Sequence, residues 1–431
     1  MTHWGATAGL GRGLLVAGAG LALAVLFGDA VLVVLMLPLA LCGALGLLHR
    51  PRTEPRVHSR LAHLSLHEGQ GTTSRLVLED VGDVEAVTRV TGETPYVALR
   101  PAVGVTTGLI GPDGTVPDLH VSPRRWGRRV VGEERVGLVT PWAGYRWGPE
   151  LISGQVMHVL PVTAPFDSRA EMPQPIGLVG AHRSRRVASG TEFSGIRPFQ
   201  AGDRLRRVNW RVSLRVDVLH VVTTRAEEDS GVLIVVDALA DYGISGGIDG
   251  EASSLDLTMR AAAALAEHHT RHGDRVGLRV VGAAGQAVGL GAGARHHRVI
   301  LGTLAAVRPS VPTDPGGHRL NLRVSAGTVV MVLSPMLSDM LTTATAGLVR
   351  RGLPVMVIDT LPATTTPGAR AGLRPELADL AWRMRRLERD NQLARLASTG
   401  CPVVPWRGPG TLDEVLRRLA RRAQLPQVAS R

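Results

Sequence analysis

The sequence predicts a membrane-anchored multidomain protein with a transmembrane helical hairpin, a β-sandwich, a short signature segment and a doubly wound, Rossmann-like α/β domain. Three observations lead to this prediction. A long apolar run fills most of the first 50 residues, short runs of β-type residues follow it, and from about residue 231 apolar strands alternate with amphipathic helices. We expect the corresponding segments at residues 1–50, 61–165, 175–225 and 230–425.

Composition sets broad limits on the function. The chain has 431 residues, of which 44% are hydrophobic, so it is long enough to bury several cores. Its two cysteines, Cys42 and Cys401, are far apart and have no partner at metal-ligand spacing, so we predict neither a disulfide framework nor a zinc site. The formal net charge is +12. Such a charge suits nucleic acid, anionic lipid or an acidic protein as a partner. High-GC coding also enriches arginine, so the charge alone does not identify which of these partners the protein binds.

The apolar run at residues 14–48 is interrupted only by Gly28-Asp29-Ala30. A single helix of that length would measure roughly 50 Å, against about 30 Å of hydrocarbon. We therefore predict two spans of about 15–18 residues joined by a tight turn at Gly28-Asp29. A cleaved signal peptide fits poorly, because the apolar region is too long.

The charges around this run predict its orientation. Arg12 precedes the first span, several basic residues including Arg50 and Arg52 follow the second, and the turn carries only Asp29. By the positive-inside rule both ends are cytoplasmic, and so is everything after residue 50. The predicted location is the cell membrane, with the lipid bilayer as one partner.

The next segment shows short alternating runs, at residues 61–67, 84–90, 130–139 and 155–160, separated by turn signals. This is typical of a small β-sandwich. Trp142, Tyr145 and Trp147 are expected to cap its core, with a binding patch as the alternative. Residues 165–190 are interpreted as a connector.

From residue 231 onward the rhythm is that of an α/β domain. Predicted strands lie at residues 232–236, 275–281, 328–333, 354–358 and 402–404. Predicted helices lie at residues 255–272, 295–306, 336–350 and 375–396, and a capping box at Thr411 opens a last one. Continuous β-branched runs joined by helices imply a parallel sheet that is covered on both faces.

Residues 190–215 mix aromatic, acidic and basic side chains densely, in a chain with only 3% aromatic residues. The pattern reads G-x-E-F, then I-R-x-F, then G-D-x-x-R-x-V-x-W-R, then S-x-R. It is formed by Gly190, Glu192, Phe193, Ile196, Arg197, Phe199, Gly202, Asp203, Arg206, Val208, Trp210, Arg211, Ser213 and Arg215.

These blocks resemble the signature of the DUF58 family of bacterial proteins. The departures are Phe199 for the usual tyrosine, Asn209 for a common aspartate and Leu214 for the usual alanine. The resemblance implies a non-enzymatic role without a cofactor, in partnership with MoxR-type AAA+ ATPases during the assembly or maturation of other complexes. A family motif can also be architectural, here a charged joint between two domains.

Asp237 ends the first predicted strand of the α/β domain, at the sheet edge where ligands bind. With the signature upstream, this arrangement resembles a von Willebrand A domain, in which D-x-S-x-S and later loops hold Mg²⁺. Here Leu239 and Asp241 occupy the serine positions, and Ser334-Pro335 replaces a common S-D. The resemblance therefore implies a degenerate site without metal. The alternative is a different cation site built from Asp237, Asp241 and Asp339.

Other catalytic constellations are not supported. The glycine-rich runs at residues 282–285 and 289–293 lack the features of a phosphate loop, and no nucleophile elbow surrounds a serine. His268 and His272, four apart on a predicted helix, are interpreted as a solvated helix end rather than metal ligands. We predict no catalytic residue, no nucleotide, no nucleic acid and no small-molecule substrate.

The signature residues are given two expected roles. We expect Arg197, Asp203, Arg206 and Trp210 to form a buried cluster that joins the sandwich to the sheet, and we call this cluster the buried lock. Arg207 and Arg211 are expected to face a partner. Two alternatives stay open: a hydrolase that uses the Asp203/Arg206 cluster, which would need these groups exposed in a pocket, and an anion- or nucleic-acid-binding module that uses the arginines, whose binding would depend steeply on salt.

Overall fold

The computed structural model describes residues 3–111, 116–162, 183–188, 192–200, 205, 208–227, 231–282, 285–310, 324, 328–365, 374–407 and 411. By its internal contacts the chain divides into two units. One unit comprises Met1–Leu160 with Gly247–Asp249, and the other comprises Pro161–Gly246 with Gly250–Arg431. The predicted hairpin and sandwich fall in the first unit, and the signature segment and the α/β region fall in the second.

The first unit begins with a helical hairpin, α1 at Ala8–Phe27 and α2 at Ala30–Leu48. Within the described residues these two helices are long and apolar enough to cross a membrane. The turn lies where the sequence predicts it, because Gly28 adopts a left-handed conformation with φ 67° and Asp29 accepts a hydrogen bond from the Val31 amide at 2.8 Å. The helices are longer than predicted, since α1 begins at Ala8, and each measures about 30 Å.

The hairpin is tightly packed and is tied to the rest of its unit. A Cβ atom on Gly20 would lie 2.5 Å from Met36, so the helices approach closely only because this position has no side chain. Just before α1, the Thr7 amide donates to the Gly144 carbonyl at 3.0 Å. The start of the hairpin is therefore held by the β-rich part of the same unit.

The β-rich part is built from short strands, most of them antiparallel. They are β1 Gly5–Ala6, β2 Arg56–Leu61, β3 Ser65–His67, β4 Thr72–Glu79, β5 Ala86–Thr91, β6 Val97–Arg100, β7 Val105–Leu109, β8 Leu119–Pro123, β9 Gly127–Val130, β10 Glu134–Val139, β11 Tyr145–Ile152 and β12 Val156–Leu160. Among the described residues they pair in the orders β1-β11-β10-β5-β7, β2-β4-β8-β6 and β3-β12-β9.

Side chains from different sheets share the cores of this unit. Leu76 of β4, Val136 of β10 and Trp147 of β11 belong to one buried cluster, so the first two sheets contact each other through their apolar faces. The expected burial of Trp147 is confirmed, whereas Trp142 is 53% exposed in a 3₁₀ turn at Pro141–Ala143.

One ion pair is buried between neighbouring strands. Arg89 of β5 and Glu134 of β10 are each no more than 2% exposed. The Arg89 Nε donates to Glu134 at 3.1 Å, and Nη1 donates to the Ser74 carbonyl at 2.8 Å. Removal of one member would leave the other charge buried and unpaired, so either loss should strongly destabilise the folded unit.

The second unit opens with the signature segment. Strands β13 Arg183–Ala188, β14 Glu192–Pro198 and β15 His220–Glu227 pair antiparallel in the order β13-β15-β14, and helix α3 spans Trp210–Val216. The expected connector at residues 165–190 is therefore wrong for residues 183–188. Pairing with β15 makes this basic, weakly alternating run a strand, and only tertiary structure supplies that partner.

The α/β region follows the predicted alternation closely. Its elements are β16 Gly231–Asp237, α4 Ser254–Arg271, β17 Arg275–Val281, β18 Ala287–Gly291, α5 Gly293–Ala306, β19 Val329–Ser334, α6 Asp339–Arg350, β20 Val355–Asp359, α7 Pro375–Ser398 and β21 Val403–Pro405. In the described part of the unit the sheet order is β18-β17-β16-β19-β20-β21, parallel except for β18. The helix predicted after Thr411 lies outside the described residues.

Two details of this region differ from prediction. The sequence analysis missed β18, because its glycines resemble a loop. Helix α6 begins at Asp339 rather than at Met336. Met336 has a positive φ of 52°, which residues of a right-handed helix do not adopt, so the helix cannot begin there.

Both faces of the sheet are buried. Val235, Val330 and Val357 belong to a cluster that includes Leu341 of α6 and Leu396 of α7. The alternate residues of the same strands, such as Ile234 and Met331, are also fully buried. They face the other side of the sheet, since side chains alternate along a strand.

Candidate functional site

The strand order places two polar residues side by side at the carboxyl edge of the sheet. From β16 the chain crosses to β17 on one side, and it later returns to β19 on the other side of β16. In open α/β sheets the crevice at such a reversal is where ligands bind. Asp237 ends β16 and Ser334 ends β19, so these residues mark the candidate site.

The Asp237 carboxyl group is buried and hydrogen-bonded on both oxygens. Its exposed fraction is 3%, Oδ1 accepts from the Leu239 amide at 3.0 Å, and Oδ2 accepts from the Ser334 hydroxyl at 2.6 Å. Burial raises the pKa of Asp237 above its ordinary value, and the two hydrogen bonds oppose this shift. Ser334 Oγ also accepts from the Met336 amide at 2.8 Å, so the carboxyl group joins the loops after both strands.

Asp241, the second acidic residue near the end of β16, is hydrogen-bonded to the start of a helix. Asp241 accepts a hydrogen bond from the Leu255 amide at 3.1 Å, in the first turn of α4. The neighbouring Tyr242 amide donates to Ser254 Oγ at 2.8 Å. Asp339 instead accepts from Gln392 at 3.0 Å. Among the described residues no group of three or more His, Cys, Asp or Glu side chains could hold a metal ion, so the alternative site of Asp237, Asp241 and Asp339 is not assembled.

Helix α7 holds the loop that follows β19. Arg389 donates through Nε to the Pro335 carbonyl at 2.6 Å and forms an ion pair with Asp359 at the end of β20. Arg385, one turn earlier, donates to the Leu337 carbonyl. The sequence analysis missed these two arginines. Their spacing of four on one face of a helix was the available signal.

Tyr242 lies near the same carboxylate. Burial raises its pKa above the ordinary value, the negative charge of Asp237 adds to the effect, and Arg385 opposes it. Its ring lies 6.1 Å from the ring of Trp382 on α7. Among the described residues, hydrogen bonds therefore connect Asp237, Ser334 and Arg389 to the loops at this edge, and Tyr242 lies close to them.

The signature segment is described in part. Gly190, Gly202, Asp203, Arg206 and Arg207 lie outside the described residues, so the buried lock and the role of Arg207 stay predictions for these positions. Glu192 and Phe193 lie on β14. Arg197, also on β14, is half-buried and donates to the Pro198 carbonyl at 3.0 Å.

Two polar residues of the motif have clear local roles. The Asn209 side chain accepts from the Val212 amide at 3.2 Å and caps α3. Ser213 Oγ donates to the Asn209 carbonyl at 2.8 Å and accepts from the His220 amide at 2.9 Å. Ser213 thereby attaches the helix to the start of β15. This part of the motif is architectural.

The outer surface of α3 is apolar and basic. Trp210 is 61% exposed and Leu214 is 82% exposed, at positions four apart on the helix. Arg211 and Arg215, also four apart, are exposed beside them. We call these four residues the signature patch. The expectation that Trp210 is part of a buried lock is wrong, because α3 buries Ser213 and turns the tryptophan outward.

The histidines at the end of α4 agree only in part with the predicted solvated helix end, because His272 is exposed, His268 is half-buried and the neighbouring His269 is buried. His269 is 1% exposed, and its Nδ1 lies 2.8 Å from Asp274 Oδ2. Burial, together with the neighbouring His269 and His272, lowers the pKa of His268 to about 4. The sequence analysis missed Asp274, which lies beyond the helix and reaches His269 only in the folded chain.

Comparison with known proteins finds a family model that matches part of the chain. Residues 195–363 match the family model DUF58, described as a protein of unknown function. Uncharacterized proteins Mb1516 of Mycobacterium bovis and Rv1480 of Mycobacterium tuberculosis are each 31% identical to this chain over 151 residues. That stretch is 34% of this chain and 45% of each relative, so the match spans less than half of the curated relatives.

Proposed function

We propose, from the match of residues 195–363 to the DUF58 family model, that the chain is a membrane-anchored, non-enzymatic adaptor or scaffold. It works with a MoxR-type AAA+ ATPase in the assembly or maturation of other complexes. The geometry of the signature segment supports the adaptor role, and the family resemblance supports the class of partner.

The signature patch is the observation that carries this proposal. Trp210 and Leu214 expose large apolar surfaces beside Arg211 and Arg215, within the region that defines the family. Aromatic and arginine side chains are enriched among the residues that dominate binding energy at protein interfaces. The local hydrogen bonds of Asn209 and Ser213 hold the helix that presents them. The patch therefore suits a protein partner with an apolar contact surface and acidic groups.

We further propose that the α/β region is a doubly wound, von Willebrand A-like domain with a degenerate metal site. The reversal of strand order beside β16 and the position of Asp237 at that point support the likeness. Degeneracy is supported by Leu239 at an oxygen-ligand position and by the two internal hydrogen bonds of Asp237. A carboxyl group engaged in this way has a structural role.

The β-rich part of the first unit and the whole second unit are proposed to lie on the cytoplasmic side of a membrane. The two apolar helices α1 and α2 support the anchor. Arg12 near the N-terminal end of α1 and Arg50 and Arg52 after α2 support the orientation, since arginines that flank membrane spans stay on the cytoplasmic side.

The adaptor role is tested by capture of a purified MoxR-type ATPase from the same organism on the immobilised full-length chain. Replacement of Arg207→Glu with Arg211→Glu places acidic groups on the signature segment and should weaken capture by about tenfold or more. Leu214→Asp should do the same without a change of an arginine. Arg298→Glu, which changes an exposed arginine on α5, is the matched control and should leave capture unchanged.

Equal capture by all of these proteins would contradict the adaptor proposal. A measurable hydrolase activity that Asp203→Ala abolishes without loss of folding would favour the enzyme alternative. The anchor is tested separately: the chain should resist carbonate extraction, and a reporter fused to its C-terminus should behave as cytoplasmic. Periplasmic or extracellular reporter activity would overturn the orientation.

A further inference from the structure

Helix α7 has one face that is held by the body of its unit. Trp382, Arg389 and Leu396 are seven residues apart and lie on this face. The Trp382 indole donates to the Thr365 carbonyl at 3.0 Å, Arg389 donates to the Pro335 carbonyl at 2.6 Å, and Leu396 is buried in the core. These contacts fix which side of the helix faces outward.

The outward side carries an apolar stripe. Leu377, Leu380, Met384 and Leu387 are 53%, 55%, 57% and 65% exposed, respectively. Their spacing of three, four and three residues is the a/d pattern of a heptad repeat, in which Trp382, Arg389 and Leu396 fall at the opposite f positions. A continuous row of exposed large apolar residues on an otherwise polar helix marks an interaction site.

We propose that this stripe is the seam of a parallel two-stranded coiled coil with a second copy of the same chain. In a parallel pair a residue at position g faces position e of the next heptad on the other helix. Arg383 at g then faces Glu388 of the second copy, and Asp390 at g faces Arg395. Both contacts join opposite charges, and the twofold symmetry repeats each of them.

The next residue along the seam points to the same geometry. Asn391 is exposed at position a, immediately after Leu387 at position d. A single asparagine at position a sets the register and the two-stranded state of parallel coiled coils. The helix is already folded against its own sheet, so pairing costs little ordering of the backbone. The signature patch on α3 is not part of this seam.

Charge substitutions test the proposal on the full-length chain in detergent, with mass measured by light scattering over a concentration series. Met384→Glu with Leu387→Glu should raise the dimer dissociation constant at least about 100-fold, because four apolar side chains of the seam are replaced in the pair. Arg383→Glu should raise it roughly fivefold, and the double change Arg383→Glu with Glu388→Arg should restore it. Failure of the double change to restore pairing would overturn the parallel register.

Cysteine cross-linking tests the geometry in membranes, in a chain that carries Cys42→Ser. Leu387→Cys should form a disulfide-linked dimer, because identical d positions face each other in a parallel pair. The matched control is Arg386→Cys, on the neighbouring exposed position, which should not cross-link. Cross-linking of Leu387→Cys only to copies that carry Leu377→Cys would show an antiparallel pair and overturn the proposal.

The C-terminal segment is the competing occupant of the stripe. If the full-length chain is a monomer and a chain that ends at Arg407 forms dimers, the segment 408–431 of the same chain prevents pairing, and the proposal is wrong. Monomers in both forms would overturn it as well. Capture of the ATPase by the signature patch is measured separately, so the two proposals fail independently.

Discussion

Replacement of Asp237 by alanine tests whether the carboxyl edge of the sheet is structural. The change leaves two donors without acceptors, the Leu239 amide and the Ser334 hydroxyl, both in a buried setting. An unsatisfied buried donor costs about 1–3 kcal/mol. Removal of a buried carboxyl group whose pKa is raised offsets part of this cost. We expect a net loss of about 2–4 kcal/mol, or roughly 5–15 °C in Tm for a unit of this size.

The assay is thermal unfolding of the full-length protein in detergent at pH 7, with EDTA and with millimolar Mg²⁺. The loss should be the same in both buffers. Asp241→Ala is the control and should cost only about 1 kcal/mol, because the amide of Leu255 also lies at the start of a helix that Ser253 caps. Ser334→Ala combined with Asp237→Ala should cost less than the sum of the single changes, with a coupling of about 0.5–3 kcal/mol.

Two results would refute this reasoning. If Mg²⁺ raises the Tm of the unchanged protein and Asp237→Ala removes that gain, the carboxylate is a metal ligand. Saturation at 100 times the dissociation constant would stabilise the folded state by about 2.7 kcal/mol, a shift that is easily measured. If Asp237→Ala unfolds at the same temperature as the unchanged protein, the hydrogen bonds do not hold the two loops.

Two further predictions concern stability. His268 has a folded-state pKa of about 4 against an ordinary value of 6.5, so its stabilising effect is present above pH 6.5 and is lost as the pH falls toward 4. His268→Gln should make thermal stability less dependent on pH between about 4 and 6.5. An unchanged pH dependence would contradict the lowered pKa of His268. In the first unit, Arg89→Ala should cost about 3–5 kcal/mol, because Glu134 keeps its buried charge without its partner. The exposed Arg75→Ala, whose partner Asp118 is part-exposed, should change the free energy of unfolding by less than about 1 kcal/mol.

Much of the architecture could be predicted because its signals are local. The turn at Gly28-Asp29 needs a residue in the left-handed conformation and a capping side chain, and both residue types can be recognised in the sequence. The strands β16, β19 and β20 are nearly continuous apolar runs rich in β-branched residues, which indicate burial on both faces without knowledge of their neighbours. Strand β18 was missed because its pairing with β17, not its glycine-rich composition, makes it a strand.

The candidate site was predictable only in its centre. Asp237 was identified because it directly follows an apolar strand. Arg389, Arg385 and Tyr242 were missed, because their positions around Asp237 depend on how α7 and the loop after β16 pack at the sheet edge. The spacing of Arg385 and Arg389 on one face of a helix can be read from the sequence, but the loop that they contact cannot.

The sequence by itself determined the apolar hairpin, the order of strands and helices in the α/β region apart from β18, the match to the DUF58 signature and the heptad spacing on α7. Each of these depends on residues that are close along the chain. Tertiary structure decided which sides are covered: it turned Trp210 outward, buried His269 against Asp274, and left Leu380 and Leu387 exposed. Burial is a property of the neighbours that a side chain meets after folding, and those neighbours lie far away in sequence.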